Sequence, residues 1–253
     1  MKSFLAAQSL IVALTAIPLF GSATRVNATT TSFTATGDTT LVQAGGFAIQ
    51  NFNAAGFIAV GGLQGGAQYS VLRFDVSSLG ALPVQVNSAI LRLTVQQVDG
   101  TPTYQPEVHA ITTANIDWLE SEASFADRKT STPWSGSPYY DPTVLKGLSL
   151  PGGSLTVGQV IDFTFTGDQS SLINNWRVSD LASTPNAGLV LLDPTWASYA
   201  TGGLTRIRFY ERENLTSTLR PQLIIDYTVL PEPSSLGLLL MGSIGLWRLR
   251  RKR

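Results

Sequence analysis

Apolar and polar side chains alternate with a period of two along one segment of this chain after another. That rhythm constrains the fold more than any other feature. Residues 69–76 set Leu72, Phe74 and Val76 on one face and Arg73 and Asp75 on the other. Residues 88–95 set Ala89, Leu91, Leu93 and Val95 inward and Arg92 and Thr94 outward. The same pattern returns at 159–166 (Ile161, Phe163, Phe165), at 205–210 (Ile207 and Phe209 against Arg206 and Arg208) and at 221–229 (Leu223, Ile225, Tyr227 and Val229 against Asp226 and Thr228). Such segments are strands with one face on a core and the other in water. Residues 188–192 form a continuous apolar run, the mark of a strand buried on both faces. Residues 41–43, 57–60 and 107–112 are shorter strand candidates. One helix interrupts the series: Asp168 is a suitable N-cap for residues 169–176, where Leu172, Ile173 and Trp176 share a side. Roughly nine or ten short strands with turn residues between them predict an all-β, jelly-roll-like β-sandwich, with the one short helix closing an end of its core.

The two ends of the chain follow different rules. Residues 1–28 begin with Lys2, continue through an apolar core at 10–20 and reach small residues at Gly21-Ser22-Ala23 or Val26-Asn27-Ala28. This is the layout of a cleaved secretory signal peptide, and Gln8, Ser9 and Pro18 interrupt it as a membrane-spanning helix. Residues 230–253 open with Pro231-Glu232-Pro233, run through the uncharged stretch 236–247 and end on Arg248, Arg250, Arg251, Lys252 and Arg253. Twelve residues of helix are roughly 18 Å long. They are expected to form a short transmembrane helix that spans a bilayer core of about 30 Å only marginally, weakened by Gly237, Gly242 and Gly245, with arginines that reach the headgroups and keep the basic end in the cytoplasm. Between these ends, residues 29–229 make one domain, large enough to bury a core without disulfides, and the chain has no cysteine. The formal net charge of zero hides an acidic domain: residues 29–229 hold 10 Lys and Arg against 16 Asp and Glu, a net of −6. Such a surface is unsuited to nucleic acid, which needs basic contacts to phosphate.

The C-terminal order of Pro231-Glu232-Pro233-Ser234, a Leu/Gly-rich run and terminal arginines resembles the PEP-CTERM sorting signal of bacteria, with Leu230 where many members have Val. The resemblance implies an exosortase-type membrane protease as partner, cleavage near the prolines after transient membrane anchoring, and an exopolysaccharide-producing envelope as destination. A permanent single-span anchor is the simpler alternative. The body carries a second resemblance. Leu72-Arg73-Phe74-Asp75-Val76-Ser77-Ser78-Leu79, Ser88-Ala89-Ile90-Leu91-Arg92-Leu93, Trp118-Leu119-Glu120, Ser124-Phe125, Ala126-Asp127-Arg128, Arg212-Glu213 and Arg220-Pro221 with Leu223-Ile224-Ile225-Asp226-Tyr227 follow the order of the DNRLRE-type domain. Phe125 stands where that family has Trp, and Lys129 where it has Pro. The family is similar to carbohydrate-binding modules, which implies a secreted β-sandwich that contacts glycan.

Sugar recognition needs flat aromatic faces together with polar groups that fix hydroxyls. Trp134, Tyr139 and Tyr140 lie in a proline-broken loop, and Trp196 and Tyr199 in a second loop near Gly202 and Gly203. These five are the candidate glycan-binding residues; the alternative is that they cover edges of the core. Trp118 and Trp176 are expected inside. Asp117, Glu120, Glu122 and Asp127 form an acidic stretch whose oxygens would suit calcium, although no EF-hand spacing is present; otherwise it is a solvated loop balanced by Arg128 and Lys129. His109 is the only histidine, which excludes a multi-His zinc site. No Gly-x-Ser-x-Gly elbow accompanies it, so a hydrolase or a His/Tyr lyase would rest on His109 alone. The expectation is an exported, non-enzymatic surface or exopolysaccharide-matrix protein that contacts polysaccharide. A purely structural matrix component and a polysaccharide lyase or hydrolase are the alternatives.

Overall fold

The computed structural model describes residues 28–79, 84–177, 186–199 and 203–230. The expected signal peptide (1–28) and the expected sorting signal (230–253, with Pro231, Glu232 and Pro233) lie outside the described residues except for Ala28 and Leu230. Among the described residues no helix is long and apolar enough to cross a membrane. From the amino end the strands are β1 (Ala28–Val42), β2 (Ile58–Leu63), β3 (Gly66–Phe74) and β4 (Val84–Asp99). Then come β5 (Thr103–Tyr104), β6 (Glu107–Ala110), β7 (Asp127–Lys129), β8 (Thr132–Pro133), β9 (Lys146–Gly147) and β10 (Leu150–Pro151). β11 (Val160–Thr166) leads into helix α1 (Asp168–Arg177), followed by β12 (Leu189–Leu192), β13 (Leu204–Phe209) and β14 (Gln222–Val229).

Ten of these strands form one hydrogen-bonded sheet, and two-stranded ribbons (β5 with β10, β7 with β8) complete an all-β, sandwich-like fold. The main sheet becomes two layers because its long strands serve both. β1 pairs with β14 as far as Thr34 and with β3 from Ala35 onward, with a register shift between Ala35 and Gly37. β4 pairs with β11 up to Thr94 and with β13 from Val95. Irregularities of this kind let a strand turn from one layer into the other.

In the first layer Phe33, Leu223, Leu91 and Phe163 stand opposite one another across β1, β14, β4 and β11. All four are buried, and each buried side chain of this size contributes roughly 1.5–3 kcal/mol. Leu72, Phe74 and Val76 enter the same core from the other layer, as their alternation requires. Ile173 and Trp176 of α1 close the core, with Leu172 half-buried beside them.

The second layer runs β1–β3–β12–β6–β9. It is covered on both faces, which explains the unbroken apolar run of β12. Leu189 and Leu191 face the main core, while Val190 and Leu192 join a second cluster with Leu41, Val71 and Trp118. β12 can approach β3 because its preceding residue is Gly188: at φ +100° a Cβ there would stand 2.3 Å from the Leu72 carbonyl oxygen.

Four expectations need correction. Thr94, expected outward on β4, is 2 % exposed. The candidate at 41–43 is the end of a strand of fifteen residues. Its first part is rich in threonine and carries few apolar side chains, so its pairing with β14 and β3 defines it. Arg206, expected on a solvated face, is only 7 % exposed. Its Nε donates to Asp99 Oδ2 and its Nη1 to Gln68 Oε1, both at 3.0 Å. Val229, expected inward at the end of β14, is exposed.

Candidate functional site

Between β6 and β9 the chain leaves the sheet and folds over the outer face of the second layer. Trp118 anchors this excursion. Its Nε1 donates to the Ala187 carbonyl at 2.8 Å, and the Arg73 guanidinium lies 4.5 Å from its ring centre. Arg73 also donates to the carbonyl of Ile116 at 2.6 Å. Asn115, fully buried, staples the returning loop: its Nδ2 donates to the carbonyls of Ser135 and Tyr139, and its Oδ1 accepts from the Ser135 amide.

This scaffold gathers Trp134, Tyr139 and Tyr140 and adds Tyr69 from the outer face of β3 and Phe125 from the excursion. Trp134 and Tyr139 stack at 4.5 Å with 26° between planes, Tyr140 meets Tyr139 edge-on at 5.5 Å, and Tyr69 and Phe125 lie 5.8 Å apart. Together they line an open cleft of about 470 Å³, rimmed by the loop from Gly136 to Pro138. Trp134 is fixed by donation from its Nε1 to the Ser124 carbonyl at 2.8 Å. Trp134, Tyr140, Tyr69 and Phe125 are each half-buried, presenting part of a ring to the cleft. Tyr139 forms the floor at 8 % exposure; burial raises its hydroxyl pKa well above the usual tyrosine value, and that hydroxyl has no hydrogen-bond partner. Alternation would have flagged Tyr69 as an aromatic on the outward side of β3. Phe125 carried no local signal beyond its place in the family-like series.

Trp196 and Tyr199 belong elsewhere. Trp196 is half-buried at the start of a short 3₁₀ turn. The Tyr199 ring packs on the main core, edge-on to Tyr104 at 5.6 Å, and its hydroxyl donates to the Asp193 carboxylate. Asp193, itself buried, also accepts from the amides of Gln105 and Thr195, so Tyr199 is part of a bonded loop closure.

The four acidic residues 117, 120, 122 and 127 do not converge. Asp117 is held by Arg128 at 2.7 Å and Lys129 at 2.5 Å, hydrogen bonds that bring its pKa down to about 2. The Glu122 carboxylate accepts from the Thr130 amide. Glu120 turns away to Arg212, which grips it with Nε at 2.7 Å and Nη2 at 2.5 Å. Among the described residues, the carboxylates that do come together in a group of three are Asp38, Glu120 and Glu213. Sequence reading missed Asp38 and Glu213 as partners of Glu120, because the three are brought together only by the chain's path across the sandwich.

His109 is 3 % exposed. Its Nδ1 donates to the Asp141 carbonyl at 3.0 Å, its Nε2 lies 3.3 Å from the Glu107 carboxylate, and its ring packs on Tyr140 at 4.9 Å. Both nitrogens are engaged inside the protein. No family model matches the chain, and no curated protein matches it.

Proposed function

We propose that this is an exported, non-enzymatic protein of the bacterial surface or exopolysaccharide matrix, and that its jelly-roll-like domain contacts polysaccharide through the cleft of Trp134, Tyr140, Tyr69 and Phe125. The observation that carries the reading is the cleft: four partly exposed rings, fixed by a bonded scaffold, beside serine and backbone groups of the 135–138 loop. Flat rings of this kind lie against the C–H faces of sugars, and polar rims orient hydroxyls. Loops on a rigid sheet commonly carry such contacts. The enclosed His109 supports a binding role over a catalytic one. Export rests on the N-terminal signal, and sorting by an exosortase-type protease rests on the tail with Pro231, Glu232 and Pro233.

The test is a polysaccharide array probed with the purified protein, followed by titration calorimetry on any hit. Trp134→Ala and Phe125→Ala, checked for unchanged melting temperature, are expected to weaken binding on the order of tenfold each, the loss of about 1.4 kcal/mol of ring contact. Absence of saturable binding to acidic and neutral polysaccharides at millimolar concentration removes the glycan reading. It would leave a structural matrix component, a second reading favoured by the stacking of Trp134 onto the buried Tyr139.

A further inference from the structure

Three carboxylates that the cleft does not use meet on the side of the sandwich where β1 passes the excursion and the loop after β13. Asp38 comes from β1, Glu120 from just beyond Trp118, and Glu213 from the loop. We propose that Asp38, Glu120 and Glu213 form a binding site for a divalent cation of the calcium class. The proposal stands whether or not the cleft takes sugar.

The geometry fits one ion. The three side chains offer oxygens that all lie within 4.8 Å of one another. Two oxygens bound to the same calcium ion at about 2.4 Å lie no more than about 4.8 Å apart. Every donor is a carboxylate oxygen, with neither His nor Cys in the group, which selects a hard cation over zinc. Glu213 is exposed, leaving the remaining coordination positions to water.

An independent observation comes from Asp38. This residue is 1 % exposed. Its Oδ2 accepts from the Arg212 amide at 2.9 Å, while its Oδ1 is buried with no hydrogen-bond partner. A buried carboxylate oxygen without a partner is costly, and folded proteins seldom leave one. The local protein charge does not supply that partner. Arg212 Nη2 contacts both Glu120 and Glu213, so one guanidinium serves two carboxylates. A divalent ion gives the Asp38 carboxylate a ligand bond and balances the charge that one guanidinium, shared between Glu120 and Glu213, leaves over. It would also tie β1 and the loop after β13 to the excursion that Trp118 anchors.

The experiment uses the full chain, stripped with EDTA and titrated with calcium, with terbium as a luminescent substitute excited through tryptophan. Trp118 is the antenna: its ring approaches within 3.5 Å of where a Cβ on Gly37 would stand, next to Asp38. The expected result is about one ion per chain, sensitised terbium emission displaced by calcium, and a melting temperature that rises with calcium concentration. Glu213→Gln is expected to weaken calcium about tenfold or more by removing one ligand charge, while Glu122→Gln leaves it unchanged. Asp38→Asn is expected to abolish the calcium response; should it fail to fold, Glu213→Gln still decides, since its side chain is exposed. Three results would overturn the site: no saturable binding up to about 10 mM, beyond the range of extracellular calcium modules, equal affinity in Glu213→Gln, or magnesium binding as well as calcium.

Discussion

Replacing Trp118 by phenylalanine keeps an aromatic in the anchor position but removes the indole nitrogen and part of the ring. Trp118 is 1 % exposed, so its loss opens a sealed space. A residual void of about 40 Å³ costs about 1 kcal/mol at the slope observed for buried cavities. The transfer term for the missing ring atoms adds about 1 kcal/mol. Losing the Nε1 bond to Ala187 leaves a buried carbonyl without that donor, a further cost of about 1 kcal/mol. The total is about 3 kcal/mol, or roughly 6–12 °C in melting temperature for a domain of this size. Urea unfolding followed by tryptophan fluorescence and by circular dichroism measures it, and any glycan binding should weaken with it, since the cleft rests on the same excursion. A loss below about 1 kcal/mol would mean that Ala187 and the Arg73 guanidinium find other partners and that the excursion is not anchored as described. Trp118→Ala should be more severe, about 3–5 kcal/mol.

Gly188→Ala should destabilise by about 3 kcal/mol or more, since a Cβ would stand 2.3 Å from the Leu72 oxygen at a φ of +100°; chemical denaturation checks it. Ile173→Ala, which empties the seat of α1 in the main core, should cost about 2–4 kcal/mol by the same assay. Arg92→Met removes an ion pair whose two side chains are 38 % and 34 % exposed, and should change stability by less than about 0.5 kcal/mol. Asp99 supplies a pH dependence. Burial works to raise its pKa, but Arg206, Arg208 and Gln97 outweigh it and hold the carboxyl below its ordinary value of 3.8. A depressed folded pKa gives stability that is present above that value and lost as pH falls through the folded one. Asp99→Asn should therefore lower the melting temperature at pH 6 and reduce its further fall between pH 6 and pH 3, read by calorimetry.

The main core was legible in the linear chain because alternation is a local property. Leu91, Phe163 and Leu223 face inward by period alone, and the apolar run ending at Leu192 announced a strand without a solvated side. Part of the cleft was legible for the same reason: Trp134, Tyr139 and Tyr140 lie within seven residues, so a single loop delivers them. Tyr69 and Phe125 required the excursion to fold back over β3, a contact between segments that no period encodes.

Burial of polar groups was decided by tertiary structure alone. Arg206 occupies a position whose alternation says solvent, and Asp99 and Gln68, distant in sequence, make its burial tolerable. Glu120 reads as one member of an acidic run until Arg212, ninety-two residues away, draws it to Asp38. Local sequence determines which way a side chain points from its own strand. Whether a charge can stay there depends on the counter-charges and hydrogen bonds that other strands bring, and those are set only when the two layers close.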